Sequence, residues 1–192
     1  MRDTRLLLFV AACLVVVAPS AGRAGEPSKE EVRRRVEVLL SGYEHVPSAS
    51  DWERAGPPAM VGEALVELAR QDDARPSTRA RAVSSMRHAP TPEVRQYLLA
   101  TVRDAHAVPL LRRKAIQSLG AVEGDAALPV IRPLLLDPDP FNREAAIRGI
   151  AEVGTKAALE AVEAHDAHEA SAVVRGTIVH VLPSLRASAA SK

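Results

Sequence analysis

Four stretches of this chain are written to one spacing. Val83, Ile116, Ile147 and Val179 recur at intervals of 33, 31 and 32 residues, and three residues after each comes a second apolar side chain: Met86, Leu119, Ile150 and Leu182. An arginine stands four residues before each anchor, at Arg79, Arg112, Arg143 and Arg175. Self-similarity at a fixed period of this size marks a chain built from stacked copies of one supersecondary unit. A single such unit cannot hide its apolar side, whereas neighbours stacked in series make a continuous core.

The clearest copy runs from Val108 to Gly124. Pro109 suits a first helical position, where its missing N–H is not needed. Leu111, Ala115, Ile116 and Leu119 then share one helical face, and Gly120 and Gly124 are read as the positive-φ residues that end the helix. The second half of each unit is also helical. Thr91 is an N-cap with Pro92 behind it, and Asp125 and Thr155 open the corresponding segments. Pro133, inside the segment after Asp125, predicts a bend or a late start, because proline costs about 3 kcal/mol in a regular helix interior. The unit is therefore helix, short turn, helix, longer turn, and Arg148→Ala is expected to be nearly silent if that arginine faces solvent.

These residues resemble the short HEAT-like repeats of the type also seen in phycobilisome lyases. That pattern has an arginine, then Ala-Ile-x-x-Leu-Gly, then a second helix ending in Asp-Pro; Arg112, Ala115, Ile116, Leu119, Gly120, Asp137 and Pro138 fit it. The resemblance covers residues 59–183 and implies an all-α fold, a right-handed α-solenoid of about four HEAT-like helix pairs. It says little about activity, because repeat scaffolds serve unrelated roles. The tetratricopeptide pattern needs aromatic residues, and this chain is 3% aromatic. The ankyrin Thr-Pro-Leu-His motif is absent. Deoxyhypusine hydroxylase is similar in scaffold and holds two irons through His-Glu pairs. This chain has Arg143-Glu144 at the corresponding place and a single His-Glu, His168-Glu169, so that resemblance stops at the fold.

Residues outside the repeats divide into three parts. Residues 1–24 read as a secretory signal, with Arg2 and Arg5 before an uncharged run from Leu6 to Ala18 and small residues at Gly22 and Ala24. The run is short for a membrane span, which takes about 20 residues. Cys13, the only cysteine, sits in the middle of that run, which argues against lipidation there. Cleavage after Ala24 takes the formal charge from +1 to −1, a balance that favours neither nucleic acid nor membrane surfaces. Residues 25–58 form an N-terminal helix, begun by a Ser28–Glu31 capping pattern, and a non-repeating cap. In that cap, Ser50 with Glu53 is read as closing a turn around Trp52. Residues 184–192, small and polar, are expected to be a flexible tail.

The charged residues suggest two uses. Asp73, Asp104, Asp137 and Glu169 precede Arg79, Arg112, Arg143 and Arg175 across the inter-unit turns, so a structural ladder of ion pairs is expected to set the angle between units. Residues 70–114 hold ten basic and four acidic groups. Nucleic acid is nonetheless not expected as a partner, since Tyr97 is the only stacking ring there. His165 and His168 are spaced to meet on one helical turn and form the single weak candidate for a metal; no metal and no cofactor are expected. The near miss for a phosphate loop, Gly154-Thr155-Lys156, has its last pair reversed and lies in a helix–helix turn.

The sequence thus reads as an exported, periplasmic or secreted, non-enzymatic scaffold or adaptor that binds another protein. Helical phase nominates Glu63, Glu67, Arg95, Arg103, Arg132 and Glu160 on the second helices as contacts; Trp52 is read as covering the open end of the solenoid, with an aromatic anchor for a partner as the alternative. The alternatives are a metal-dependent or lyase-type enzyme on the same scaffold, and an assembly module of a larger envelope complex.

Overall fold

The structure, a computed structural model, describes residues 27–42 and 46–191. The expected signal segment 1–24 and Cys13 lie outside the described residues. Helices α1 (Lys29–Ser41) and α3 (Pro58–Arg70) form the first pair, with the short α2 (Ala49–Ala55) inserted between them. Then come α4 (Pro76–Ser85) with α5 (Pro92–Arg103), and α6 (Pro109–Glu123) with the broken segment that contains α7 (Leu128–Ile131). The last pair is α8 (Pro140–Val153) with α9 (Lys156–Asp166), and α10 (Ala172–Ser191) follows alone. First helices stack on first helices, with α4 on α6, α6 on α8 and α8 on α10. Among the described residues there is no strand. The expected all-α solenoid of helix pairs is the fold observed.

Local chemistry explains most boundaries. Ser28 Oγ accepts from Glu31 N to open α1, Thr91 Oγ1 accepts from Val94 N to open α5, and Thr155 Oγ1 accepts from Ala158 N to open α9. Proline stands at the first position of α3, α4, α5, α6 and α8. Gly154 ends α8 in the left-handed region at φ 68°. The segment after Gly124 departs from a regular helix, as Pro133 predicted, and Pro129 adds a second missing donor. It becomes a 3-10 turn, one α-turn at Leu128–Ile131 and another 3-10 stretch at Arg132–Leu136.

Several sequence expectations are corrected. Gly120 does not end α6; it lies inside the helix, and Gly124 alone takes positive φ, at 56°. A Cβ built on Gly120 would sit 1.9 Å from the Gly149 carbonyl oxygen of α8, and one on Gly149 would sit 2.6 Å from the Ile116 oxygen. This glycine is required by close helix–helix approach rather than by helix termination. The N-cap of α2 is Ser48, not Ser50, with Asp51 rather than Glu53 returning the bond: Ser48 N donates to Asp51 Oδ2 at 2.7 Å. The stretch expected as a flexible tail continues α10 to Ser191 and buries Leu185. Arg148 is half-buried and donates to Glu144 Oε1 and, across the joint, to Thr177 Oγ1.

Val83, Ile116 and Ile147 are fully buried, but Val179 is 71% exposed. Counted from the ladder arginine, Val179 occupies the same helical position as the other three. In α10 the buried set is Val174, Thr177, Ile178, Val181 and Leu185, the side that faces α8. Val179 lies on the opposite side, where α6 and α8 each receive the first helix of the following unit. The repeat register is right; the burial it implied holds only where a further unit stacks.

Candidate functional site

Every ladder arginine lies at the fourth position of a first helix and reaches back to a carbonyl at the end of the preceding second helix or, for Arg175, in the turn just beyond it. Arg79 Nε donates to the Ala69 carbonyl and Arg112 Nε to that of Val102, each at 3.0 Å. Arg143 Nη1 donates to the Asp137 carbonyl at 2.9 Å, and Arg175 Nη1 to that of Glu169 at 3.2 Å. The last carbonyls of a helix have no intrahelical donor, and a cation there also meets the negative end of the helix dipole. The conserved spacing within this chain therefore serves to close the preceding helix, a role that carboxylate-centred reasoning missed. The sequence signal was the recurrence of an arginine at the fourth position of each of these helices.

The carboxylates pair differently from the expectation. Asp72, not Asp73, meets Arg79 at 3.0 Å. Asp104 accepts from His106 N instead of meeting Arg112. Asp137 pairs with Arg112, at the start of its own unit, at 3.6 Å, and Glu169 holds Arg143 with two bonds of 2.8 Å. At two places the acid at the end of a unit thus serves the arginine that opens the same unit, whereas Asp72 serves Arg79 from the turn before it. Glu169 is buried, and the bidentate Arg143 contact draws its pKa down to about 2 against the opposing effect of burial. Ser171 N and His165 bond the same carboxylate and add to the depression.

That arrangement bears on the histidine pair. His165 Nε2 is 2.7 Å from Glu169 Oε2, while His168 is exposed. Among the described residues no three candidate ligands converge on one point. Two grooves follow the second-helix ends. One, of about 680 Å³, is bordered by Arg70, Arg79, Tyr97 and His106, with the Arg70 guanidinium 5.6 Å from the Tyr97 ring centre. The other, of about 620 Å³, is bordered by Arg132, Leu136, Arg143, His165 and His168.

The nominated contact residues separate into groups. Glu63 and Glu67 pair with Lys29 and Arg33 of α1, at 2.6 and 3.6 Å. Arg95 lies 3.2 Å from Glu123, and Glu160 is 3.9 Å from Lys156. Arg103 and Arg132 are exposed and make no ion pair among the described residues. Trp52 is not an exposed anchor. It is 3% exposed and stacked on His88 at 5.5 Å and 11°, because α2 folds it under the turn between α4 and α5. Burial, with Arg87 nearby, lowers the His88 pKa.

The HEAT repeats family model matches residues 62–136 and 106–183, which together cover most of the described stack. A segment of 47 residues is 47% identical to the uncharacterized phycocyanin operon protein Y of Pseudanabaena tenuis. That segment is 24% of this chain and spans only 11% of that relative. Among solved structures, the complex of CpcE and CpcF of phycocyanin lyase from Nostoc sp. is similar with a TM-score of 0.51 and 20% identity, over 80% of this chain and 99% of that one. An engineered protein matches with a TM-score of 0.44 and 14% identity, over 82% of this chain and 80% of its own.

Proposed function

Because this chain belongs to the HEAT repeats family, we propose that it is an exported, non-enzymatic adaptor that binds another protein along its second helices. The repeat scaffold itself is established by the family match and the fold. The observation that carries the binding surface is the state of its charges. Glu63 and Glu67 are held by α1, whereas Arg103 and Arg132, on successive units, stand exposed with no ion pair among the described residues. Exposed cations of that kind, Arg132 bordering a groove, favour an acidic segment as the bound partner. Arg95 and Glu160, each weakly engaged by a neighbour, complete the proposed face. The test is the double reversal Arg103→Glu with Arg132→Glu. Capture of the native partner should fall at least tenfold while the thermal melt is unchanged; unchanged capture would move the surface elsewhere.

Export, to the periplasm or the medium, is supported by Arg2 and Arg5 ahead of the uncharged run 6–18. Among the described residues no helix is long and apolar enough to cross a membrane. N-terminal sequencing of the protein from the periplasm or medium should begin at Gly25; a chain starting at Met1 in the cytoplasm would contradict export.

A lyase-type or metal-dependent activity on the same scaffold is the second reading, favoured by the operon protein and the phycocyanin lyase complex among the similar proteins. The adaptor reading is preferred because His165 is already engaged by Glu169, whose other oxygen serves Arg143. Stoichiometric iron or zinc lost on replacing His165 and His168, or a chain-dependent change in the visible spectrum of phycocyanin, would reverse that preference.

A further inference from the structure

The ladder arginines Arg79, Arg112 and Arg143 are alike in burial, their side chains 16, 14 and 17% exposed, but they are served unequally. Arg143 is fully engaged: Glu169 takes its Nε and Nη2, and the Asp137 and Pro138 carbonyls take Nη1. Arg112 faces Asp137, itself only 16% exposed. By the same rule Arg79 should be served by Asp104, the acid that ends its own unit. Asp137 and Glu169 each accept the N–H two residues on and still reach their arginines. Asp104 accepts from His106 N in the same way but makes no ion pair among the described residues. Arg79 is left with the Ala69 carbonyl on Nε and with Asp72, 92% exposed, beside Nη1. An ion pair with so exposed an acid is weak and screened. Arg79 Nη2 has no partner among the described residues.

That open side of Arg79 borders the groove of about 680 Å³ along the ends of α3 and α5. Arg70, exposed at the end of α3, borders it too, with its guanidinium over the Tyr97 ring and no hydrogen bond or ion pair among the described residues. The ring positions this cation without giving it an acceptor. Burial raises the Tyr97 pKa, while Thr101, Arg79 and Arg70 oppose the rise, so both guanidiniums stand near the phenol.

Charge selects the occupant. The other charged groups on the groove are Asp72, Asp104 and, when protonated, His106. Beside two carboxylates, a dianion such as phosphate meets more repulsion than a singly charged carboxylate does. Arg143 shows in this same chain that a ladder arginine takes a carboxylate with two bonds. Arg79 Nε stays on Ala69, so an incoming carboxylate meets the Nη side. We infer that this groove seats the side chain of one aspartate or glutamate from the acidic partner segment, with its carboxylate on Arg79 Nη2 and Arg70 as the second cation. The source of that acid rests on the adaptor reading; the seat does not depend on Arg103 or Arg132.

The test follows the arginine Nε–H resonances of the isotopically labelled full chain. The probe is a blocked triglutamate peptide, with blocked triglutamine and inorganic phosphate as comparisons. Triglutamate should shift Arg79 and Arg70 saturably, and triglutamine should not. Arg70→Gln removes only a ring contact, so with an unchanged melt it should weaken triglutamate binding at least fivefold. Arg79→Lys keeps the charge without the planar fork and should weaken it at least tenfold. Because Arg79→Lys also loosens a helix end, Arg70→Gln is the deciding variant. Shifts at Arg79 and Arg70 would uphold the seat even if partner capture survives the Arg103 and Arg132 reversal, which would move only the wider face. Shifts confined to Arg103 and Arg132 would overturn the seat and leave the adaptor face standing. Equal shifts with triglutamine, tighter binding of phosphate, unchanged affinity in Arg70→Gln, or no shift would also overturn it.

Discussion

The joint between α6 and α8 and the outward face of α10 use the same helical positions and end in opposite states. At the joint the backbones approach through Gly120 and Gly149, Ile116 is sealed, and Arg112 receives Asp137. On α10 the corresponding valine, arginine and small residues face solvent. The difference teaches that a repeat pattern specifies a capacity for contact, while the neighbour determines whether that capacity becomes stability. In a quasi-one-dimensional fold, stability is a sum of unit terms and nearest-neighbour terms, and among the described residues α10 has one neighbour term fewer.

The largest expected effect is a matched pair of substitutions. Ile116→Asp places a charge in the sealed joint with no partner, which costs more than about 4 kcal/mol and should leave no cooperative melt by circular dichroism. Val179→Asp puts the same chemistry at the same helical position in water, and its melting temperature should stay within about 2 °C of the parent. If Val179→Asp unfolds the protein as Ile116→Asp does, the two surfaces are not as different as the exposures make them.

The next effect separates two arginines. Arg143 has Glu169, whose carboxyl titrates at about 2 in the folded state against 4.5 when unperturbed. The unfolded chain therefore binds the proton more readily. The stabilisation is complete above about pH 4.5 and is lost as the pH falls toward 2, amounting to roughly 3 kcal/mol. Melts of the parent should drop steeply over that acid range, and Glu169→Gln should lower the neutral-pH melt and flatten the acid slope. Arg175→Gln removes only a helix-end contact, so it should cost under about 1 kcal/mol and leave the slope intact. An unaltered acid slope in Glu169→Gln would locate the titration at another group.

How far the sequence carried this reading follows from the same contrast. Period, caps and the break near Pro133 are local, and each was legible because the responsible residue sits within a turn or two of its effect. Val179 and the acid–arginine pairing were not, since each depends on what lies well beyond the local turn. Asp137 and Asp104 are alike in sequence, and only the fold directs one to Arg112 and the other to a backbone N–H. The nominated contacts Glu63 and Glu67 were placed on the correct helix, but α1, displaced by the α2 insertion, came to lie beside them. Helical phase says which way a side chain leaves its helix; it does not say what waits there.

The smallest effect has opposite signs at the two places. Gly120→Ala would put a methyl 1.9 Å from a backbone oxygen of α8, and backbone cannot rotate away as a side-chain end can. The helices must part, which costs about 1–3 kcal/mol as overpacking and loosens the neighbouring Ile116 seal. For a chain of this size that lowers the melting temperature by about 2–4 °C per kcal/mol. Gly176→Ala meets open space in a regular part of α10, so only the backbone entropy of glycine is removed, a gain of about 0.5–1 kcal/mol.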